Sequence, residues 1–302
     1  MIEARGLTKR YKARLAVDDL SFDVQPGVVT GFLGPNGSGK STTMRLLLGL
    51  DRPNRGSASF DGKPYSDYDQ PLREVGALLD AGYVHPTRAA RAHLLALAVS
   101  NRLPVSRVDE VLGIVGLADV AAKRVGTFSL GMKQRLGIAA AMLGDPRTLL
   151  FDEPANGLDP EGVRWIREFL RHLASQGRTV FVSSHLLSEM SLMADRLVVI
   201  GQGRLIASGT VDEFVGRFTR SWVRVQSPKM ALLSQLLQAQ GVTLQFENPT
   251  TVHAYGASAA DIGALAAANG VMLHQLADQT GSLEEAYLQV TNPTVEFRGQ
   301  RR

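Results

Sequence analysis

Nine consecutive residues carry the densest chemistry in the chain: Gly34, Pro35, Asn36, Gly37, Ser38, Gly39, Lys40, Ser41 and Thr42. They fit the spacing G-x-x-x-x-G-K-[ST]. In that pattern a glycine-rich turn aims backbone amides into one small volume, and the helix that follows adds the partial positive charge of its N-terminus. Such a turn is a phosphate site. Lys40 would sit on the β- and γ-phosphates of a nucleotide and the Ser41 hydroxyl on Mg²⁺. Magnesium also takes carboxylates, and hydrolysis needs a group that orients or deprotonates water. TLLFDEP supplies two adjacent acids at the end of an apolar run, Asp152 for the shell of the metal and Glu153 as general base. Past another apolar run, FVSSH, His185 falls within reach of the same sheet edge; alone, a histidine there reads as structural.

Groups of this kind are carried on strand ends, and the sequence offers the strands. Short apolar, β-branched runs recur with helical stretches between them: LAVDDLSFDV, VVTGFLG, GSASFDG, EVGALLD, RTLLFDEP, RTVFVSS and DRLVVIGQGRLIASG. The phosphate loop lies between an apolar strand, VVTGFL, and an apolar helix, TTMRLLLGL, which is the frame its motif requires. The alternation predicts an α/β sheet with crossover helices and a β-rich portion at the front. From Gly82 to Asp145 the texture turns helical, as an insertion. A second change near Arg220 predicts a small α+β domain over 219–302, in the order β-α-β-β-α-β, behind a nucleotide domain over 1–218. Its two helices end on Gly241 and Gly270; a helix in SLEEAYLQV and a polar, arginine-tipped tail follow.

With 302 residues and 32.6 kDa the chain has room for about two domains. A content of 44% hydrophobic and 21% charged residues is that of a soluble globular protein. The longest apolar stretches, such as Leu94 to Val99, are too short to span a bilayer. The start, MIEARGLTKRY, lacks the apolar run of a secretory signal and there is no cysteine, which together point to a cytoplasmic location. The net charge of +4 suits nucleic acid or an anionic membrane surface and requires neither.

Together these pieces resemble the nucleotide-binding subunit of an ATP-binding-cassette (ABC) transporter. The deciding feature is FSLGMKQR, Phe128 to Arg135, which looks like a variant of the family signature LSGGQ followed by a basic-Gln-Arg run. The resemblance implies a P-loop NTPase fold of ABC type, α/β with a mixed β-core sheet and a helical signature subdomain over about 82–145, working with ATP and Mg²⁺. It puts Ser129 and Gly131 at a helix N-terminus that caps the γ-phosphate held by the partner chain of a homodimer. Leu130 and Met132 depart from the signature's first glycine and final glutamine, while the serine and second glycine are kept. Tyr11 matches the aromatic that stacks on adenine. GLDP, Gly157 to Pro160, matches the D-loop and puts Asp159 at the subunit interface; His185 matches the switch histidine that contacts the γ-phosphate.

The family normally has a glutamine about 40 residues after the loop lysine, and counting from Lys40 places Asp80 there. An aspartate can still ligand Mg²⁺ but adds negative charge near the phosphates; its other reading is a solvent-facing loop acid. Carboxylates at this place look similar to a subgroup associated with drug, antibiotic and bacteriocin export. The resemblance covers 1–218 and implies an ATPase that closes as a homodimer on two Mg·ATP. It also implies a separate multi-spanning membrane subunit docked on the helical insertion, an inner-face membrane location, export of drug, antibiotic or lipid-like cargo, and no nucleic-acid partner. The alternative is a soluble ABC ATPase acting on nucleic acid or ribosomes. DNA-repair relatives of that kind carry long coiled coils in the insertion, and translation-associated ones carry two cassettes in one chain. A P-loop kinase or GTPase would leave the Ser129 region unexplained.

Overall fold

A computed structural model describes residues 1–80, 82 and 84–291; the polar tail expected at 292–302 lies outside the described residues. The described residues divide into two compact units, Met1–Val211 with Thr291, and Asp212–Val290. The first unit opens with β1 (Ile2–Tyr11), β2 (Arg14–Val24), β3 (Val29–Leu33), α1 (Lys40–Leu47) and β4 (Arg55–Phe60). Next come α2 (Pro71–Glu74), β5 (Val75–Leu78), α3 (Ala90–Ser100), α4 (Ser106–Ile114) and α5 (Leu130–Met142). It continues with β6 (Thr148–Asp152), α6 (Pro160–Ser175), β7 (Thr179–Ser183), α7 (Leu187–Met193), β8 (Arg196–Gly201) and β9 (Arg204–Thr210).

Two sheets build this unit. A six-stranded sheet in the order β5-β6-β7-β3-β8-β9 is parallel except for β9, and a three-stranded antiparallel sheet runs β2-β1-β4. Every residue of β3, VTGFL, is buried, as expected of a parallel strand covered on both faces. The sheets meet at Phe22, Phe32 and Phe181, whose ring centroids lie 4.9 to 5.8 Å apart. Burying each such ring contributes about 1.5–3 kcal/mol, so this cluster fixes how the antiparallel sheet sits on the strands that carry the site. The parallel strands β3, β6 and β7 end in the same direction, and their carboxyl ends lead to Gly34, Glu153 and Ser184 respectively. The helical stretch contains α3, α4 and α5, and Val108, Val111, Leu94 and Leu136 are fully buried within it.

The second unit begins in α8 (Val211–Phe218) and continues with β10 (Trp222–Gln226), α9 (Met230–Ala239), β11 (Thr243–Asn248), β12 (Thr251–Tyr255), α10 (Ala259–Ala268), β13 (Gln275–Gln279) and α11 (Leu283–Thr291). Its sheet is antiparallel in the order β11-β12-β10-β13. Alternation sets its two faces: Val223 and Val225 of β10 are buried with Leu233, Leu237, Ile262 and Ala266 of α9 and α10, while Trp222, Arg224 and Gln226 are half-buried on the other face. A capping box between Ser258 and Asp261 starts α10. Gly241 and Gly270, after α9 and α10, have φ of +79° and +61°. Among the described residues no helix is long and apolar enough to cross a membrane.

Candidate nucleotide site

The loop between β3 and α1 is a cradle of backbone. Gly37 and Gly39 hold φ of +80° and +106°, and a Cβ on Gly39 would lie 2.5 Å from the Ala16 carbonyl oxygen, so only glycine fits. The Ser38 amide donates to Pro35 O at 3.1 Å, Gly203 N donates to Ser38 O at 2.9 Å, and Thr43 Oγ1 donates to Gly39 O at 2.9 Å. Lys40, the first residue of α1, is 8% exposed; its Nζ donates to Gly34 O at 2.6 Å and to Pro35 O at 3.4 Å. Burial lowers the Lys40 pKa, and the charges of Glu153 and Asp152 oppose that shift. A buried ammonium satisfied only by carbonyls favours an anion in front of it.

A cleft of about 420 Å³ opens over this loop. Asn36, Gly37, Gly39, Lys40, Ser41 and Thr42 line it together with Asp152 and Glu153, and Tyr11, Arg14, Ala16 and Leu79 complete the lining. Gly34 and Pro35 contribute the carbonyls that hold Lys40, while Ser38 lies beneath, its buried Oγ without a hydrogen-bond partner. Tyr11 is 42% exposed at the rim; its hydroxyl donates to Asp51 Oδ2 at 2.6 Å, and Arg45 Nε holds the same oxygen at 2.8 Å. Burial and the bond to Asp51 raise the Tyr11 pKa; Arg45, then Tyr11, keep Asp51 below the ordinary carboxylate range.

The two acids are positioned by neighbours far away in sequence. Asp152, the last residue of β6, pairs in register with Ser183 of β7, and Ser183 Oγ donates to Asp152 Oδ1. Glu153 takes a left-handed backbone, φ +51°, which disfavours a side chain by about 1–3 kcal/mol unless surrounding bonds impose it. Here they do: Glu153 N donates to Ser183 O at 3.2 Å and Ser183 Oγ at 3.0 Å, and Gln134 Nε2 donates to Glu153 O at 3.1 Å and Asn156 O at 3.4 Å. The Glu153 carboxylate accepts from His185 Nδ1 at 2.6 Å and from the His185 amide at 3.2 Å. His185 therefore joins the site through Glu153 and does not itself line the cleft.

Four other residues singled out by sequence lie off the cleft. Ser129 N-caps α5, its Oγ accepting from Met132 N at 3.2 Å, and Gly131 sits in the first turn of that helix. Asp159 N-caps α6, accepting from Gly162 N at 2.8 Å. Asp80 accepts from Gly82 N at 2.6 Å in an exposed turn, and Leu79 rather than Asp80 lines the cleft. Aspartate favours such a local turn, bonding to a backbone amide two residues on. Ser183, Gln134 and Arg14, whose Nη2 donates to Gly37 O at 3.4 Å, were not singled out from sequence. The serine of FVSSH and the glutamine of GMKQR were visible there as polar residues beside the motifs, without a sign of what they hold.

The donor set fits a nucleoside triphosphate with Mg²⁺: Gly37, Gly39, Lys40, Ser41 and Thr42 of the loop and the helix start line the cleft, and the buried Lys40 ammonium is held only by carbonyls. Ser41 and Asp152 are oxygen donors of the kind Mg²⁺ takes when phosphate oxygens complete its shell. The ABC transporter family model matches residues 17–156, and a domain of unknown function matches residues 221–284. An uncharacterized ABC transporter ATP-binding protein, YhcH of Bacillus subtilis (strain 168), is 35% identical over 98% of this chain and 97% of its own length. The bacitracin transport ATP-binding protein BcrA of Bacillus licheniformis is 33% identical over 96% of this chain and 97% of its own. A solved structure of an ATP-binding subunit of an ABC transporter superposes with a TM-score of 0.66 at 28% identity, covering 72% of this chain and 93% of that one. The chain belongs to the ATP-binding proteins of ABC transporters, with the mixed-sheet ATPase fold of that family.

Proposed function

We propose that this chain is the ATP-hydrolysing subunit of an exporter, with Glu153 as the general base and His185 as its positioning partner. The observation that carries this is the fixed pose of Glu153, bonded at its backbone by Ser183 and Gln134 and at its carboxylate by His185, in the cleft that Lys40 also lines. The loop amides and Lys40 neutralise phosphate charge. Tyr11 at the rim supplies a ring for the base, and Asp152 with Ser41 would hold the cation, which would supply neutralisation of phosphate charge. Glu153 accepts a proton from the attacking water; the imidazole hydrogen bond keeps the carboxylate turned toward it.

In this reading two copies close on two nucleotides. Ser129 and Gly131 face the phosphates held by the other copy, with Asp159 at the junction. The catalytic domain is assigned to 1–218 and an accessory domain to 219–302. A separate multi-spanning membrane subunit, docked on the helices between 82 and 145, places the protein on the inner face of the cell membrane. The relative BcrA is named for bacitracin transport, which favours antibiotic or lipid-like cargo.

The test uses Glu153→Gln. Turnover is expected to fall at least about a hundredfold while ATP binding persists, because a base and not a ligand is lost. The tagged variant, held with ATP and extracted from native membranes in detergent, is expected to carry a polytopic membrane protein at equal stoichiometry. Normal turnover would overturn the base assignment. Recovery of ribosomal proteins or nucleic acid instead would overturn the transporter reading and leave the catalytic one standing.

A further inference from the structure

The first unit contains a second polar cavity, about 440 Å³, close in size to the nucleotide cleft at about 420 Å³. Its walls come from β1, β2, β3, β8 and β9. It adjoins Thr30, near the start of β3, whereas the phosphate loop follows Leu33 at the other end of that strand. The residues of the nucleotide site take no part in it.

Three features define its chemistry. Thr30 is 1% exposed, and its Oγ1 has no hydrogen-bond partner. Buried hydroxyls are nearly always bonded, so an orphan on a cavity wall is a group prepared for something inside. Arg196, half-buried at the start of β8, makes no side-chain ion pair or hydrogen bond among the described residues. The cavity's other arginine is fully engaged: Arg5 pairs with Asp23 at 2.6 Å and Glu3 at 3.3 Å and donates to Ala4 O at 3.0 Å and Phe22 O at 3.3 Å. Asp23, the acid in the lining, is thereby held by Arg5, and of the two arginines in the lining Arg196 is the one without a carboxylate partner among the described residues. Gln25 and Ser208 add further polar groups at the wall.

We propose that this cavity is a second ligand site, separate from the nucleotide cleft, for a small soluble oxyanion bearing a carboxylate or a phosphate. The planar fork of Arg196 matches two oxygens of either group, and the Thr30 hydroxyl donates to one of them. The volume admits a molecule larger than the anion alone, with Gln25 and Ser208 left for its polar remainder.

The test uses the full chain saturated with Mg²⁺ and a non-hydrolysable ATP analogue, so that the phosphate loop is already filled. Inorganic phosphate and malonate are titrated separately, by thermal shift and by calorimetry. At least one is expected to raise Tm saturably below about 50 mM. Arg196→Gln and the isosteric Thr30→Val are expected to weaken that response about tenfold or more, with affinity for the ATP analogue unchanged within about twofold. Which of the two anions binds identifies the headgroup. General salt stabilisation acts on all three proteins alike. A response equal in wild type and Arg196→Gln, or no response to either anion in the wild type, would overturn the proposal.

Discussion

At the phosphate loop the reactive groups converge on a shared cleft: Lys40, Ser41, Asp152 and Glu153 all line it, and their supports, Ser183 and Gln134, lie within the same unit. At the start of the signature helix and of α6 the capping side chains turn back on their own backbone. Ser129 caps α5, Asp159 caps α6, and Leu130 between them is 55% exposed. A Cβ added to Gly157 would overlap the Leu130 side chain, so this leucine lies against the turn that leads to Asp159 and ties the two caps into one surface. The difference separates two kinds of preparation. One region is organised to bind within a single chain. The other offers helix N-termini and a leucine on the surface, which is the preparation a second copy would use in the mechanism proposed above.

Substitutions can break or sharpen that division. Lys40→Ala is expected to have the largest effect, lowering ATP affinity of the isolated chain about a hundredfold, measured by equilibrium nucleotide binding, since it removes a charge-assisted contact from a buried site. Ser129→Ala is expected to leave that affinity unchanged but to cut turnover, by up to about a hundredfold, and to cost about 1 kcal/mol of unfolding free energy through the lost cap. If it weakened ATP binding to the single chain as Lys40→Ala does, the division would be wrong.

Gln134→Leu is expected to fall between the two regions, because Gln134 lies on the signature helix α5 and bonds to the backbone of Glu153. Loss of that bond is expected to lower kcat about tenfold with KM for ATP little changed, and to lower stability by about 1–2 kcal/mol. An equal change in KM would show that Gln134 shapes the nucleotide cleft instead. Asp80→Gln is expected to have the smallest effect, a change in ATP affinity within about threefold, as its carboxylate is engaged with Gly82 N. Complete loss of binding would make Asp80 an essential ligand.

The phosphate loop was legible because its geometry depends on residue type: only glycine permits the backbone at Gly39, and a buried strand and an apolar helix must flank it. The order of strands and helices was legible from alternation of apolar runs for the same reason. The supports of the acids were not. Ser183 reaches Asp152 because β6 and β7 are adjacent and in register, and Gln134 reaches Glu153 through the packing of α5 on β5, the strand next to β6; neither relation leaves a local pattern. Asp80 shows the converse. Counting from Lys40 identifies its position in the chain, but the direction of its carboxylate is decided by a hydrogen bond from the Gly82 amide.

The left-handed backbone at Glu153 also bears on how this protein responds to selection. A glycine there would relieve a strained conformation and could raise the melting temperature while deleting the acid. A library screened for heat resistance alone would drift toward inert variants at this codon, whereas one screened for turnover would retain the strained residue at the expense of thermal tolerance.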